Sequence, residues 1–151
     1  MTTLLVVHHT PSPGMGAILD AVLDGTTADG IEGVEVVARA ALSTSAAEVL
    51  AADGYVLGTP ANLGYMSGAL KHFFDTIYEP CLDKTVSRPF GIYVHGATDT
   101  TGAIESIDRV TTGLRWRLVA EPLSLVGPVT ENELEAAWNL GATVTATVAG
   151  V

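Results

Sequence analysis

The residues best suited to bind a ligand lie in three short segments, each following an apolar run. The first segment reads His9-Thr-Pro-Ser-Pro-Gly-Met15, the second Gly58-Thr-Pro-Ala-Asn-Leu-Gly-Tyr65, and the third His95-Gly-Ala-Thr-Asp-Thr-Thr-Gly102. All three combine hydroxyl groups with glycine, and none contains lysine or arginine. Main-chain amides and hydroxyls can hold an anion, while glycine lets the backbone approach a flat ring.

The first segment favours a monophosphate over larger nucleotides. It leads directly into an apolar stretch with helical spacing, so hydroxyls, amides and a positive helix end converge there. It matches neither GxxxxGK[ST] nor GxGxxG, which argues against a nucleoside triphosphate or a classical dinucleotide. Taken alone, Pro11 to Gly14 would also suit a simple turn before a helix.

The second and third segments could enclose a flat heterocycle. In the second, glycines allow close approach of the main chain, and Leu63 or Tyr65 can cover apolar ring surface. The third repeats this chemistry with small residues and hydroxyls. Each segment is also compatible with ordinary loop formation.

Apolar runs and helical spacing predict alternating strands and helices. Strands are predicted at Leu4 to Val7, Val34 to Val37, Tyr55 to Leu57, Gly91 to Val94 and Leu118 to Val126. Helical spacing covers Ile18 to Leu23, Met66 to Ile77 and, more weakly, Ile104 to Leu114. Capping boxes at Ser45-Ala-Ala-Glu48 and Thr130-Glu-Asn-Glu133 predict two further helix starts.

This order of elements predicts one α/β domain over residues 1–151. The first and fourth strands are almost wholly apolar, as in parallel strands covered on both faces. Right-handed crossovers then give a doubly wound, five-stranded parallel sheet in the order 2-1-3-4-5, with helices on both faces. Ligands bind such sheets at the carboxyl ends of the strands, beside the reversal of strand order, so the three segments should meet there.

Composition and net charge bear on the classes of binding partner and on the compartment of the protein. With a net charge of −10 and seven thinly spread basic residues, the chain lacks the positive patch of a nucleic-acid or anionic-membrane binder. Only 16% of residues are charged, against about 25% in typical domains, so we expect a homo-oligomer. The single Cys81 and the short apolar run at Leu4 to Val7 lead us to expect a cytoplasmic protein.

Several further residues are assigned no ligand role. The adjacent His8 and His9 should point to opposite faces of a strand end, so no metal site is predicted. Trp116 and Trp138 are expected in packing or at an interface. Three arginines could reach an NADP phosphate or a partner subunit, although a solvated face is the simpler interpretation; they are Arg109, Arg115 and Arg117.

The second segment and the residues after it carry a family resemblance. Gly58-Thr-Pro-Ala-Asn-Leu-Gly-Tyr-Met-Ser-Gly-Ala-Leu-Lys-His-Phe-Phe-Asp75 closely resembles the second flavin loop and following helix of the NAD(P)H-dependent FMN reductase and WrbA-type quinone reductase group, in the flavodoxin-like superfamily. The order of strands and helices resembles that family over the whole chain. The first and third segments match that family in position and in residue type more than in residue identity.

The resemblance implies a site for flavin mononucleotide, FMN. Residues expected around the phosphate are Thr10, Ser12, Gly14 and Met15. Those bordering the isoalloxazine ring would be Pro60, Ala61, Asn62, Leu63, Gly64 and Tyr65, and those closing its other side Gly96, Ala97, Thr98 and Gly102. Two departures from the family are Pro11 and Pro13, which remove amide donors. A third is the absence of a basic residue near Asn62.

The implied activity is hydride transfer from NAD(P)H to FMN, followed by reduction of a quinone or another small acceptor. Tyr65 and His95 would line the pocket or donate a proton to the acceptor. The alternative is a flavodoxin-type electron carrier that docks on a redox partner, which the acidic charge also fits. A phosphoryl-accepting receiver domain is disfavoured, because the acids it needs are replaced by His8-His9 and Gly58-Thr59.

Overall fold

The computed structural model describes residues 1–151, which form alternating strands and helices. The strands are β1 (Thr2–His8), β2 (Val34–Ala40), β3 (Gly54–Asn62), β4 (Tyr65–Met66), β5 (Pro89–Gly96), β6 (Arg117–Leu118) and β7 (Leu123–Val126). The helices are α1 (Pro13–Gly25), α2 (Ala46–Ala51), α3 (Gly68–Cys81), α4 (Thr101–Leu114) and α5 (Glu131–Ala149), with a 3-10 turn at Ala41–Ser43.

The principal strands form the predicted parallel sheet. The hydrogen-bonded order is β2-β1-β3-β5-β6, and β7 pairs with β5 beyond β6. Counting β5 as the fourth principal strand and β6 with β7 as the fifth, this is the order 2-1-3-4-5. The α/β prediction is therefore confirmed.

Two details of the strand prediction are wrong. The fifth strand is not continuous over Leu118 to Val126, because it breaks into β6 and β7. Pro122 lies in the break, and as a proline it has no amide hydrogen to donate to a neighbouring strand. The second error concerns Met66, whose spacing placed it in a helix. It belongs to the extra strand β4, which pairs antiparallel with β3.

Helices cover both faces of the sheet, as predicted. Alternate residues of the buried β1 face opposite layers, with Leu5 and Val7 in one core and Leu4 and Val6 in the other. The first core lies under α2, α3 and α4, and the second lies under α1 and α5. No helix is both long and apolar enough to cross a membrane.

Local caps start the helices where their sequences indicate. In the box at α2, the Glu48 amide donates to Ser45 Oγ and the Ser45 amide donates to Glu48 Oε1, at 3.2 and 3.1 Å. The Thr130 amide donates to the Glu133 carboxylate at 3.0 Å. Both predicted capping boxes are thus confirmed. Helix α3 begins after the cap Ser67, whose Oγ accepts from the Leu70 amide.

Near the amino-terminal ends of β3 and β5, aromatic side chains and the partly buried Arg88 form a cluster. Tyr55 stacks on Trp116 with ring centroids 4.2 Å apart, so the expected packing role of Trp116 is observed. The Arg88 guanidinium donates to three carbonyls at the end of α2, at 2.8 to 3.1 Å: those of Val49, Leu50 and Ala52. Arg88 therefore caps a helix that carries no basic residue in its own last turn.

Candidate functional site

The three segments meet at the carboxyl edge of the sheet. The register pairs His8 with Gly58 and Pro60 with His95, so β1, β3 and β5 end side by side. The His9 amide donates to the Gly58 carbonyl at 3.0 Å, which joins the first and second segments. The second and third also touch, since a Cβ built on Gly96 would lie 3.3 Å from that of Ala61. The predicted clustering is therefore present in the fold.

The first segment offers main-chain donors at the start of α1. Ser12 is the N-cap, and its hydroxyl oxygen accepts from the Met15 amide at 3.2 Å. Met15 therefore has no free donor, and its side chain is buried in the second core. By contrast, the amides of Thr10, Ser12 and Gly14 have no hydrogen-bond partner in the chain. These three donors are available to a ligand.

The Thr10 hydroxyl is held by a histidine. Its Oγ1 lies 2.7 Å from Nδ1 of His8. Burial, and then the neighbouring His9, lower the pKa of His8, so this imidazole stays neutral at neutral pH. A neutral ring nitrogen can accept the Thr10 hydrogen or donate to its oxygen, depending on the tautomer. The pair thereby fixes the position of the Thr10 hydroxyl beside the free amides.

His9 has a polar atom that nothing in the chain satisfies. Its Nδ1 is buried and has no hydrogen-bond partner. Such an atom costs free energy unless a ligand or solvent pairs with it. His9 was predicted to lie in the first segment but was assigned no ligand role there, and its place directly before Thr10 was the one signal of a role in this site.

The second segment is a β-hairpin, not an irregular loop. Strand β3 runs through Pro60 and Ala61 to Asn62, and β4 starts at Tyr65. The two turn residues, Leu63 and Gly64, both have positive φ, at 52° and 74°, the left-handed conformation of the tight turns common in hairpins. The Leu63 side chain is fully exposed and Tyr65 is 41% exposed. The hairpin tip thus presents apolar surface to solvent.

Helix α4 anchors this hairpin. The buried Ser106 Oγ accepts from the Met66 amide at 3.2 Å and donates to the Ala103 carbonyl at 2.7 Å. A Cβ built on Gly102 would lie only 2.0 Å from the Gly64 carbonyl oxygen, so the hairpin turn rests directly on the helix. Gly102 was predicted as a site residue. Ser106 was missed, because its contact lies 40 residues away.

The third segment turns sharply from β5 into α4. Gly96 ends β5, and a Cβ there would lie 2.5 Å from the Asp99 carbonyl oxygen. Ala97 and Thr98 are exposed. The Asp99 carboxylate accepts from the Thr101 amide and hydroxyl, and these hydrogen bonds lower its pKa. Ala97 and Thr98 therefore project from a turn whose end is fixed.

His95 links the site to a fourth segment, residues 127–129. Its Nε2 lies 2.7 Å from the Gly127 carbonyl oxygen. Because a carbonyl can only accept, Nε2 carries the hydrogen and donates it. The same segment reaches the first one, since Val129 Cγ2 lies 3.6 Å from a Cβ built on Gly14. This contact with residues 127–129 was not predicted, and it gives His95 a positioning role.

Comparison with known proteins supports the fold. No protein-family model matches the sequence. A flavodoxin from Aquifex aeolicus (strain VF5) is 32% identical over 77 residues, which are 51% of this chain and 40% of that flavodoxin. The matched segment thus spans well under half of the curated relative's length.

Solved structures match over nearly the whole chain. The flavodoxin, WrbA-like protein from Agrobacterium tumefaciens superposes with a TM-score of 0.78 at 20% identity, covering 98% of both chains. A flavodiiron protein from Giardia intestinalis gives a TM-score of 0.82 at 16% identity, over 99% of this chain and 36% of that one. With its parallel sheet and helices on both faces, this chain has the flavodoxin-like fold.

Proposed function

We propose that the chain binds FMN at this edge and carries reducing equivalents from NAD(P)H to a quinone or another small acceptor. The observation that carries the proposal is the set of free donors in the first segment, which lies beside an exposed apolar hairpin. Both features occur at the reversal of strand order, where ligands of this architecture bind.

The first segment fits a phosphate monoester. Three free amides, those of Thr10, Ser12 and Gly14, lie at the positive end of the 13-residue helix α1. The Thr10 hydroxyl adds a fourth group. Pro11 and Pro13 alternate with these residues and give no amide, and the segment contains no lysine or arginine, so it offers a phosphate only neutral donors. We expect modest phosphate affinity as a result.

The hairpin and the third segment fit a flat ring. Leu63 and Tyr65 expose apolar surface that a bound ring would cover. The third segment reaches this hairpin, since a Cβ built on Gly96 would lie 3.3 Å from that of Ala61, and its exposed residues Ala97 and Thr98 have small side chains. Pro60 and Ala61 at the end of β3 are partly buried and form the base of the hairpin. The donor chemistry and the shape of the edge are thus compatible with FMN.

Bound FMN would supply the hydride and electron chemistry, and the protein would position reactants and limit access of water. The overall reaction is NAD(P)H + H⁺ + quinone giving NAD(P)⁺ + hydroquinone, so one proton must come from solution. Tyr65, on the exposed face of the hairpin, is the candidate to pass that proton. His95 has committed its Nε2 hydrogen to Gly127, which leaves only Nδ1 for proton transfer.

A flavodoxin-type carrier is the second candidate. It is favoured by the likeness to the Aquifex flavodoxin and by the net charge of −10, which suits docking on a basic partner protein. A carrier would bind FMN equally well but would not oxidise NAD(P)H by itself. Turnover by the purified protein therefore separates the two.

The central test is an FMN titration followed by steady-state assay. We expect flavin fluorescence to be quenched on addition of the protein, and the loaded protein to oxidise NAD(P)H when a quinone is present. Thr10→Val should weaken FMN binding about tenfold or more, because a hydrogen bond to a charged group contributes roughly 1.5–3 kcal/mol. Thr10→Ser keeps the hydroxyl and is the matched control.

Each outcome of this test is informative. No uptake of FMN by the wild-type chain would refute the proposal. Uptake without NAD(P)H oxidation would favour the carrier. Equal FMN affinity of Thr10→Val and Thr10→Ser would show that the Thr10 hydroxyl does not bind the phosphate, which would leave the three amides as its only donors in the first segment.

We also propose that the chain forms a homo-oligomer. Support comes from its low charged fraction, 16%, and from apolar side chains exposed at the carboxyl edge, Leu42, Leu63 and Val126. Light scattering at working concentration should return a multiple of 15.6 kDa. A monomer mass would refute this part of the proposal without affecting the FMN site.

A further inference from the structure

A small cleft lies between the hairpin turn and helix α4. Its volume is about 200 Å³, and it is lined by Gly64, Tyr65, Gly102, Glu105, Ser106 and Arg109. The α4 residues follow the spacing i, i+3, i+4 and i+7, which places them on one face of the helix. Gly64 and Tyr65 form the opposite wall.

The walls of the cleft are held together at two points. The turn rests on Gly102, and the Met66 amide donates to Ser106. Ser106 is buried, and both hydrogen-bonding functions of its hydroxyl are used inside the chain. The charged side chains left for a ligand are therefore those of Glu105 and Arg109.

Arg109 is a cation without a partner in a strongly acidic protein. Two other arginines form ion pairs, Arg39 with Glu48 and Arg115 with Asp83. Arg88 donates to carbonyls at the end of α2. Arg109 makes no such contact, although Glu105 stands one turn before it on the same face of α4. A planar guanidinium left free in this way is suited to bind an oxyanion.

We propose that this cleft receives the anionic group of the small-molecule redox substrate, with Arg109 selecting anionic substrates over neutral ones. The inference rests on the proposed function, because Tyr65 belongs both to the cleft and to the hairpin that would border the ring. A substrate at the ring could thus extend a phosphate, carboxylate or sulfonate towards Arg109. Glu105 opposes the same group by charge repulsion.

Two substrate pairs identify the source of the anion. In the donor pair, NADPH is compared with the uncharged 1-benzyl-1,4-dihydronicotinamide. In the acceptor pair, a sulfonated quinone is compared with its unsulfonated parent. For one of the pairs, R109Q should raise the ratio of the anionic to the neutral KM about tenfold, as expected for the loss of one charge-assisted hydrogen bond. The pair that responds names the substrate.

Two further variants check the sign and the place of the effect. E105Q removes the opposing charge and should lower the same KM ratio. R117Q removes the charge of another arginine without an ion pair, on strand β6, and should leave the ratio as in the wild type. The inference is overturned if R109Q leaves both ratios as in the wild type, or if R117Q changes them as much as R109Q does.

The two proposals can fail separately. FMN uptake is measured first, and its absence refutes the proposed function. The cleft is then tested on the flavin-free chain by NMR titration with inorganic pyrophosphate. We expect pyrophosphate to shift the Arg109 Nε–H resonance and the amide resonances of Gly102 and Glu105, and the affinity measured at these two amides to be at least several-fold weaker in R109Q. Separate binding at the first segment would be followed at the amides of Thr10, Ser12 and Gly14. Equal binding by R109Q and the wild type would refute the cleft on its own.

Discussion

Replacing Gly102 by alanine should separate the hairpin from helix α4. The new Cβ would lie 2.0 Å from the Gly64 carbonyl oxygen and 2.9 Å from its carbon. Non-bonded heavy atoms at optimal separation lie about 3.5 Å apart, so the turn or the helix must move by roughly 1 Å or more. Backbone stands on both sides, so no rotamer change can relieve the contact.

The expected cost follows from two opposing effects. Inserting a carbon into a packed contact typically costs about 1–3 kcal/mol. Alanine is also a better helix former than glycine, by up to about 1 kcal/mol. We therefore expect Gly102→Ala to lower the free energy of unfolding by roughly 1–2 kcal/mol. If the displaced hairpin borders FMN, flavin affinity should fall about tenfold as well.

Gly68→Ala is the matched control. Gly68 opens α3 as Gly102 lies in the first turn of α4, yet a Cβ there has nothing within 4 Å. This variant should be as stable as the wild type or up to about 1 kcal/mol more stable. Urea denaturation followed by tryptophan fluorescence, to which the buried Trp116 contributes, measures both variants. Gly102→Ala matching the stability of Gly68→Ala would refute the docking of the hairpin on α4.

Three further predictions concern stability. Tyr93→Phe should stabilise the protein by about 1 kcal/mol in chemical denaturation, because the Tyr93 hydroxyl is buried without a partner; a clear loss would mean that a bound water satisfies it. Burial raises the pKa of Tyr55 to about 12, so between pH 10 and 12 this hydroxyl ionises in the unfolded chain but not in the folded one. The contribution of Tyr55 to the free energy of unfolding should therefore be constant below pH 10 and fall between pH 10 and 12. Tyr55→Phe should flatten that part of a pH titration of stability, and an unchanged slope would contradict it. Arg88→Ala should cost about 2–3 kcal/mol in the same assay, through loss of charged hydrogen bonds to the end of α2. Arg117→Ala should cost under about 0.5 kcal/mol, and equal losses would remove the capping role of Arg88.

Local patterns in the sequence were sufficient to predict most of the helices and strands. The boxes at Ser45 and Thr130 start α2 and α5 as predicted, because both partners of a capping box lie within four residues. The apolar runs located the principal strands. Topological rules then placed the three segments at one edge, since parallel strands joined by right-handed crossovers end together.

Other features depended on contacts between distant parts of the chain. The spacing of Met66 fits a helix, yet pairing with Ala61 and the hydrogen bond to Ser106, 40 residues away, put it in a strand. Likewise Arg88 finds its carbonyl acceptors 36 to 39 residues earlier. No local spacing contains these partners.

The sequence by itself determined the class of fold and the chemical character of the three segments, because hydrophobic period, caps and residue type are local properties. Tertiary structure decided how those segments are used. The second segment forms a hairpin, and His95 Nε2 donates a hydrogen bond to the Gly127 carbonyl. The amide of Gly14 and the guanidinium of Arg109 are left without partners. Which polar groups remain free depends on every long-range hydrogen bond made by the others, and only the folded chain specifies those.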